Sequence, residues 1–216
     1  MSIITKAALL LAFTAAFASC KKDDDEGPAP ATPPDPIAVS AFSNLAVGNY
    51  WVYAIVYYDS AGTEVPTAYT DSVTVIGDSV VNGHTFSVFQ GTRPLHNPGN
   101  PQSYRYMLRD SADCIIGLTG GIVFSLSDLG SVFAQAVIPP NGTMTWSTDP
   151  NQVQHTVPAG SFTCYDTHKE AFVPGYVPRT MHSLRGQGVG IIQDEMVYLD
   201  SPGSGFRRKL VSYNVQ

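Results

Sequence analysis

Tyr50-Trp51-Val52-Tyr53-Ala54-Ile55-Val56-Tyr57-Tyr58 is a run of aromatic, β-branched and small apolar residues without a charge. Such side chains fit a pleated surface, which makes the run a strand. It stops at Asp59-Ser60-Ala61-Gly62, a turn composition. Both faces of this strand are apolar, so it is expected to lie centrally in a sheet or to be covered on both sides. An aromatic row this dense also suits a sugar platform; core packing is the stronger reading.

Working outward, residues 69–76 alternate Tyr69, Asp71, Val73, Val75 against Thr70, Ser72, Thr74, Ile76, the pattern of a half-exposed strand. Asn82-Gly83 is the strongest hairpin signal in the chain, set between Val80-Val81 and a strand over residues 84–90. Residues 92–101 read as a loop with Pro94, Pro98 and Pro101. A strand over residues 102–109 turns at Asp110-Ser111-Ala112-Asp113 into residues 114–118, and Gly120-Gly121 breaks the chain. Residues 124–133 are ambiguous, with room for a short helix. Short strands follow at residues 134–138, 143–147 and 152–157, then a longer one to about Glu170. Residues 179–185 and 188–199 form the next pair, and Ser201-Pro202-Gly203-Ser204-Gly205 turns into a last strand over residues 206–215.

About a dozen short strands with hairpin-like links predict an all-β domain with little helix. The expected architecture is a single antiparallel β barrel or half-barrel, with a two-layer β sandwich as the alternative. No strand–helix alternation points to a parallel sheet. Composition agrees: Gly 19, Pro 16, Tyr 11 and Phe 10, with charged residues at only 14%. The net charge of −6 argues against nucleic acid, which needs a basic face to neutralise phosphates.

The N-terminal part reads as an address. Residues 1–19 carry Lys6, a short apolar stretch, and then the small residues Ala18 and Ser19 before Cys20, the build of a secretory signal peptide. The apolar stretch is too short to span a bilayer. Small-small-Cys resembles the bacterial lipobox, with Phe17 where Leu is usual. The resemblance implies cleavage before Cys20 and acyl chains such as palmitate on that residue. Lys21-Lys22-Asp23-Asp24-Asp25-Glu26 is a solvated charge run. Behind the cysteine it resembles the surface-export signal of Bacteroidota-type lipoproteins. Residues 27–36 are half proline, a stiff linker reaching roughly 30 Å at about 3.1 Å per residue. The expected organisation is therefore a signal peptide (1–19), a lipidated cysteine with an acidic and proline-rich linker (20–36), and a β-rich domain (37–216). The implied location is the outer membrane with the domain facing the cell exterior, the periplasmic face being the alternative.

Three further stretches carry a resemblance. Val47-Gly48-Asn49-Tyr50-Trp51-Val52-Tyr53, Val157-Pro158-Ala159-Gly160-Ser161-Phe162 and Gly186-Gln187-Gly188-Val189-Gly190-Ile191-Ile192 are similar to signatures of a group of Bacteroidota-type surface lipoproteins with no settled activity. The likeness implies the β architecture and the lipoprotein class. It brings no catalytic residue.

Candidate chemistry is sparse. Asp166, His168 and Glu170 fall on one face of a strand with Phe162 and Cys164. An imidazole between two carboxylates is a metal-ligand type. The spacing of roughly 7 Å from one to the next along a strand is wide for one ion, so a polar strand end explains them equally well. His84, His96, His155 and His182 are scattered without a ligand spacing. Cys114 and Cys164 remain once Cys20 is lipidated; they are either a disulfide, suited to an oxidising compartment, or two buried thiols. No Gly-x-Ser-x-Gly elbow is present, and Cys164 and His168 stand roughly 13 Å apart along a strand. Gly186-x-Gly188-x-Gly190 lacks the spacing of a dinucleotide loop and reads as a bulge or bend. Asp194 and Glu195 point to opposite faces of their strand. The expectation is a non-enzymatic protein without cofactor, tethered to the membrane through Cys20. Its expected partner is a small apolar or glycan ligand. The alternatives are a structural or adhesive surface protein working by protein–protein contact, and a hydrolase whose site the sequence does not display.

Overall fold

The computed structural model describes residues 38–93, 102–197 and 205–216. The lipobox, Cys20, the linker, His96, the proline loop after Arg93 and most of the turn before the last strand lie outside the described residues. The fold is almost entirely strand. β1 (Tyr50–Tyr58) is the central strand anticipated from its composition, flanked by β2 (Glu64–Val81) on one side and β13 (Gly205–Asn214) on the other. Its alternate residues Trp51, Tyr53 and Ile55 enter the core. On the other face Tyr58 is covered by Arg207, whose guanidinium lies 4.3 Å from the ring centroid.

From β2 the chain runs through antiparallel hairpins to β3 (His84–Arg93), β4 (Gln102–Ser111), β5 (Cys114–Gly117) and β6 (Ile122–Ser125). Asn82 and Gly83 take φ of 51° and 78°, the left-handed pair of a tight hairpin turn. On the other side of β13 come β12 (Gly190–Val197), β11 (Arg179–Gly186), β10 (Gly160–Phe172), β8 (Gly142–Thr148) and β7 (Val132–Ile138). β9 (Val153–Val157) pairs with the first half of β10 and folds against β13, where Ala159 N–H donates to the Leu210 carbonyl.

The sheet curls until β6 meets β7 and β8, giving an antiparallel barrel of twelve strands that is nearly closed. Closure needs strongly bent strands, and register shifts supply the bends at Val52/Tyr53, Ala54/Val56, Val75/Gly77 and Leu184/Arg185. The barrel, not the sandwich, is the architecture. Two local expectations are corrected. Residues 124–133 form no helix: they end β6, which pairs with β5, turn at residues 126–131, and begin β7, which pairs with β8. The Gly186–Gly190 stretch is the β11–β12 hairpin turn, with Gly188 and Gly190 at positive φ, and the bulge sits just before it.

The one helix among the described residues, α1 (Ser40–Ser43), is four residues long and plugs the barrel. Phe42 is fully buried, its ring 5.5 Å from Phe124 and 5.6 Å from Tyr165. Gly188 N–H donates to the Ala41 carbonyl at 2.7 Å, and Arg185 Nη1 donates to the Phe42 carbonyl. The plug is thus held by the same turn that links β11 to β12.

Candidate functional site

The barrel interior is packed and partly charged. Arg208 of β13 is buried between Asp71 of β2 and Asp194 of β12, donating to both carboxylates, with its guanidinium 5.0 Å from the Tyr53 ring centroid. Tyr104 donates to Asp71 at 2.7 Å. Trp51 Nε1–H and Tyr53 O–H reach the carbonyls of Val189 and Ile191. These partners satisfy polar groups whose burial would otherwise cost stability. A cavity of about 20 Å³, enough for a single water, lies among Trp51, Tyr53, Phe89, Tyr106 and Arg185. Among the described residues, aromatic and charged side chains pack this part of the interior closely.

A cleft opens beside β4. β5 has four residues and pairs with β4 only from Leu108 to Ser111. The first part of β4 is left uncovered on that side, and the chain after β5 swings away through Gly120, at φ 83°. Between them is a cleft of about 400 Å³, lined by Arg105, Tyr106, Met107, Leu108, Gly117, Leu118, Thr119 and Val123. The lining is mainly apolar. Tyr106 forms the inner wall, stacked on Phe89 at 4.7 Å, and burial pushes its phenol up to about 12. Arg105 stands at the rim, tied to Gln90 by a 2.9 Å hydrogen bond. Preformed ligand sites have this form and size: apolar walls, few polar groups, several hundred cubic ångströms.

A second cluster lies on the outer wall. Tyr165 packs inward against Phe42, and further along β10 the alternate residues Asp166, His168 and Glu170 face outward. β10 and β11 are paired with His168 opposite His182. His182 Nδ1 lies 2.8 Å from Asp166 Oδ2, and His168 Nε2 lies 3.2 Å from the same oxygen and 3.3 Å from Asp149 Oδ2. Burial acts to raise the Asp166 carboxyl, but the hydrogen bond and charge of His182 outweigh it and hold it below the usual range. The same hydrogen bond lifts His182 above its ordinary value.

The structure thus rearranges the expected site. Asp166 and His168 come together despite their spacing, because both side chains lean toward one point. Glu170 does not join them and points to solvent. The residues that sequence reading misses are His182, set apart as a scattered histidine, and Asp149, which no motif marks. The two cysteines are free thiols and no disulfide joins them. Cys114 makes a 3.4 Å contact with Ser125 Oγ across the β5–β6 pair. Cys164 is sealed under β9 in the core with Val157 and Ile192, and burial pushes its thiol up to about 11. Asp194 and Glu195 do face opposite ways, Asp194 to Arg208 inside and Glu195 to Arg207 outside.

No family model matches the chain, and none of the curated proteins does. Two solved structures resemble it. A "putative exported protein with YmcC-like fold" from Bacteroides fragilis superimposes with a TM-score of 0.51 at 12% identity, over 80% of this chain and 98% of that one. A "putative lipoprotein" from Parabacteroides distasonis gives a TM-score of 0.43 at 14% identity, over 80% and 98%. The Bacteroides likeness is one of fold, the nearly closed antiparallel barrel, at an identity too low to carry residue roles across.

Proposed function

We propose that this protein is an outer-membrane lipoprotein, anchored through Cys20 and facing the cell exterior, that binds a small, largely apolar ligand in the cleft beside β4. The reading is non-enzymatic. The observation that carries it is the 400 Å³ apolar cleft where the first part of β4 is left uncovered by β5. A ligand there would lay an apolar body against Tyr106, Leu108, Leu118 and Val123. It would turn a polar end to Arg105 and solvent. Burial of each methylene contributes about 0.8 kcal/mol, so even a short apolar chain gives useful affinity. The likeness of fold to an exported Bacteroides protein is compatible with the envelope location, and the lipobox supplies its chemistry.

Two experiments bear on this reading. Anilinonaphthalene sulfonate, a dye with an apolar body and one anionic end, should bind the purified chain at one site with a rise in fluorescence. Leu118→Asp should weaken it at least about tenfold, because burial of one Leu side chain is worth about 1.5–3 kcal/mol. Leu118 stands on an exposed turn, so the variant keeps its fold. Equal binding by the variant and the wild type would overturn the cleft as the site. For the anchor, Cys20→Ala should move the protein from the membrane to the soluble fraction. Retention of the variant in the membrane would remove the anchor from the account.

A further inference from the structure

We propose that Asp166, His168 and His182 bind one divalent transition-metal ion on the outer wall of the barrel, with zinc the best fit to the donor set. The three side chains offer one carboxylate oxygen and two imidazole nitrogens, all within 4.8 Å of one another. Around zinc, with bonds of about 2.0–2.1 Å, neighbouring ligands of a tetrahedron stand roughly 3.3 Å apart. The contacts of 2.8 Å and 3.2 Å that both imidazoles make to Asp166 Oδ2 are close to that edge, so small side-chain adjustments would seat the ion. The backbone already holds the ligands in place. β10 presents Asp166 and His168 on one face through its period of two, and the β10–β11 register sets His182 directly opposite His168.

An ion-pair network alone accounts less well for the arrangement. Both imidazole nitrogens converge on Oδ2 of Asp166, while Oδ1 of the same carboxylate is buried with no hydrogen-bond partner. Two donors sharing one acceptor atom beside an empty one is a poor salt bridge and a good half-built coordination sphere. Asp149 stands next to it, fixed by its N–H donating to the Asp166 carbonyl at 2.9 Å, and its carboxylate touches His168. Beside His168, at the edge of the cluster, it is placed to accept from a water that completes the coordination sphere. His182 and Asp149 are about two-fifths exposed, which leaves an entry path from solvent. Two nitrogens with carboxylate oxygen favour zinc-like ions over magnesium and calcium, which take oxygen ligands. The bound ion would tie β10 to β11, and through Asp149 to the end of β8. This site is separate from the cleft and does not depend on it.

The test is calorimetric titration of the untagged, chelator-treated full chain with zinc chloride, and with magnesium chloride as the comparison. One zinc per chain is expected, without magnesium uptake. Asp166→Asn and His182→Ala should each weaken zinc at least about tenfold, while Glu170→Gln should leave it unchanged. Because a variant can fail through folding, the wild-type chain is also followed by NMR of its histidine rings. Zinc should shift His168 and His182 and leave His84 and His155 in place. No zinc uptake, full affinity in His182→Ala, or shifts confined to His84 and His155 would each overturn the proposal.

Discussion

Asp71→Ala is expected to lower the unfolding free energy by about 3–5 kcal/mol, read as a fall in the urea midpoint at unchanged slope. Asp71 is fully buried and lies against Arg208, itself buried in the barrel, and accepts from Tyr104 as well. Removing the carboxylate leaves a guanidinium in the core with Asp194 as its remaining counter-ion and takes an acceptor from Tyr104. Losing one partner of a buried charge costs far more than the pair contributes when intact, because the desolvated charge stays behind. The same reasoning fixes the control. Adding Arg208→Met together with Asp194→Asn to Asp71→Ala should recover a large part of the loss, since this removes the stranded cation without leaving the Asp194 carboxylate unpaired in its place. A triple variant no more stable than Asp71→Ala would show that the loss comes from packing and not from charge.

Phe42→Ala should cost a similar amount, about 3–5 kcal/mol, by a different route. Phe42 is the largest fully buried side chain of the plug, and its ring is enclosed by Phe124, Tyr165 and the Arg185 region. Truncation leaves a cavity that a closed sheet cannot collapse into, because the strands around it are tied by hydrogen bonds. The carbonyl of Phe42 is also the acceptor for Arg185, so a plug that loosens releases a buried cation. Denaturant unfolding measures the loss. Phe42→Leu, which keeps most of the volume, should lose much less; equal losses for the two variants would argue against a cavity.

Much of the barrel is legible in the chain, for reasons that differ by element. Asn82-Gly83 marks its hairpin because few other pairs tolerate two left-handed residues, and β1 is legible because nine residues without a charge have only one environment. Along β2 the alternation of Asp71, Val73 and Val75 with Ser72 and Ile76 fits one buried and one exposed face. The strand runs well beyond residues 69–76, however, and Pro66 and Gly77 disguise its length. α1 is invisible at the sequence level. It has four residues and no side-chain cap, and it exists because Phe42 has a hole to fill. The Asp166–His168–His182 cluster is half legible. Period two places Asp166 and His168 on one face, but nothing in residues 166–182 says which residue of β11 stands across from His168. That register is set by the turn and by packing elsewhere. The cleft is illegible for a similar reason: Gly120-Gly121 announces a break, but not that the break leaves β4 uncovered.

Under the proposed reading, a packed barrel supplies stability, the cleft beside β4 binds the ligand, and the anchor at Cys20 holds the domain at the cell surface. The central claim is the binding. Native mass spectrometry of the chain, extracted gently from the envelope of its own host, tests that claim most directly. The account predicts a discrete extra mass of small-molecule size that leaves on denaturation and is absent from Leu118→Asp. A clean apo mass for the wild-type chain, together with no uptake of the anionic dye, would contradict it.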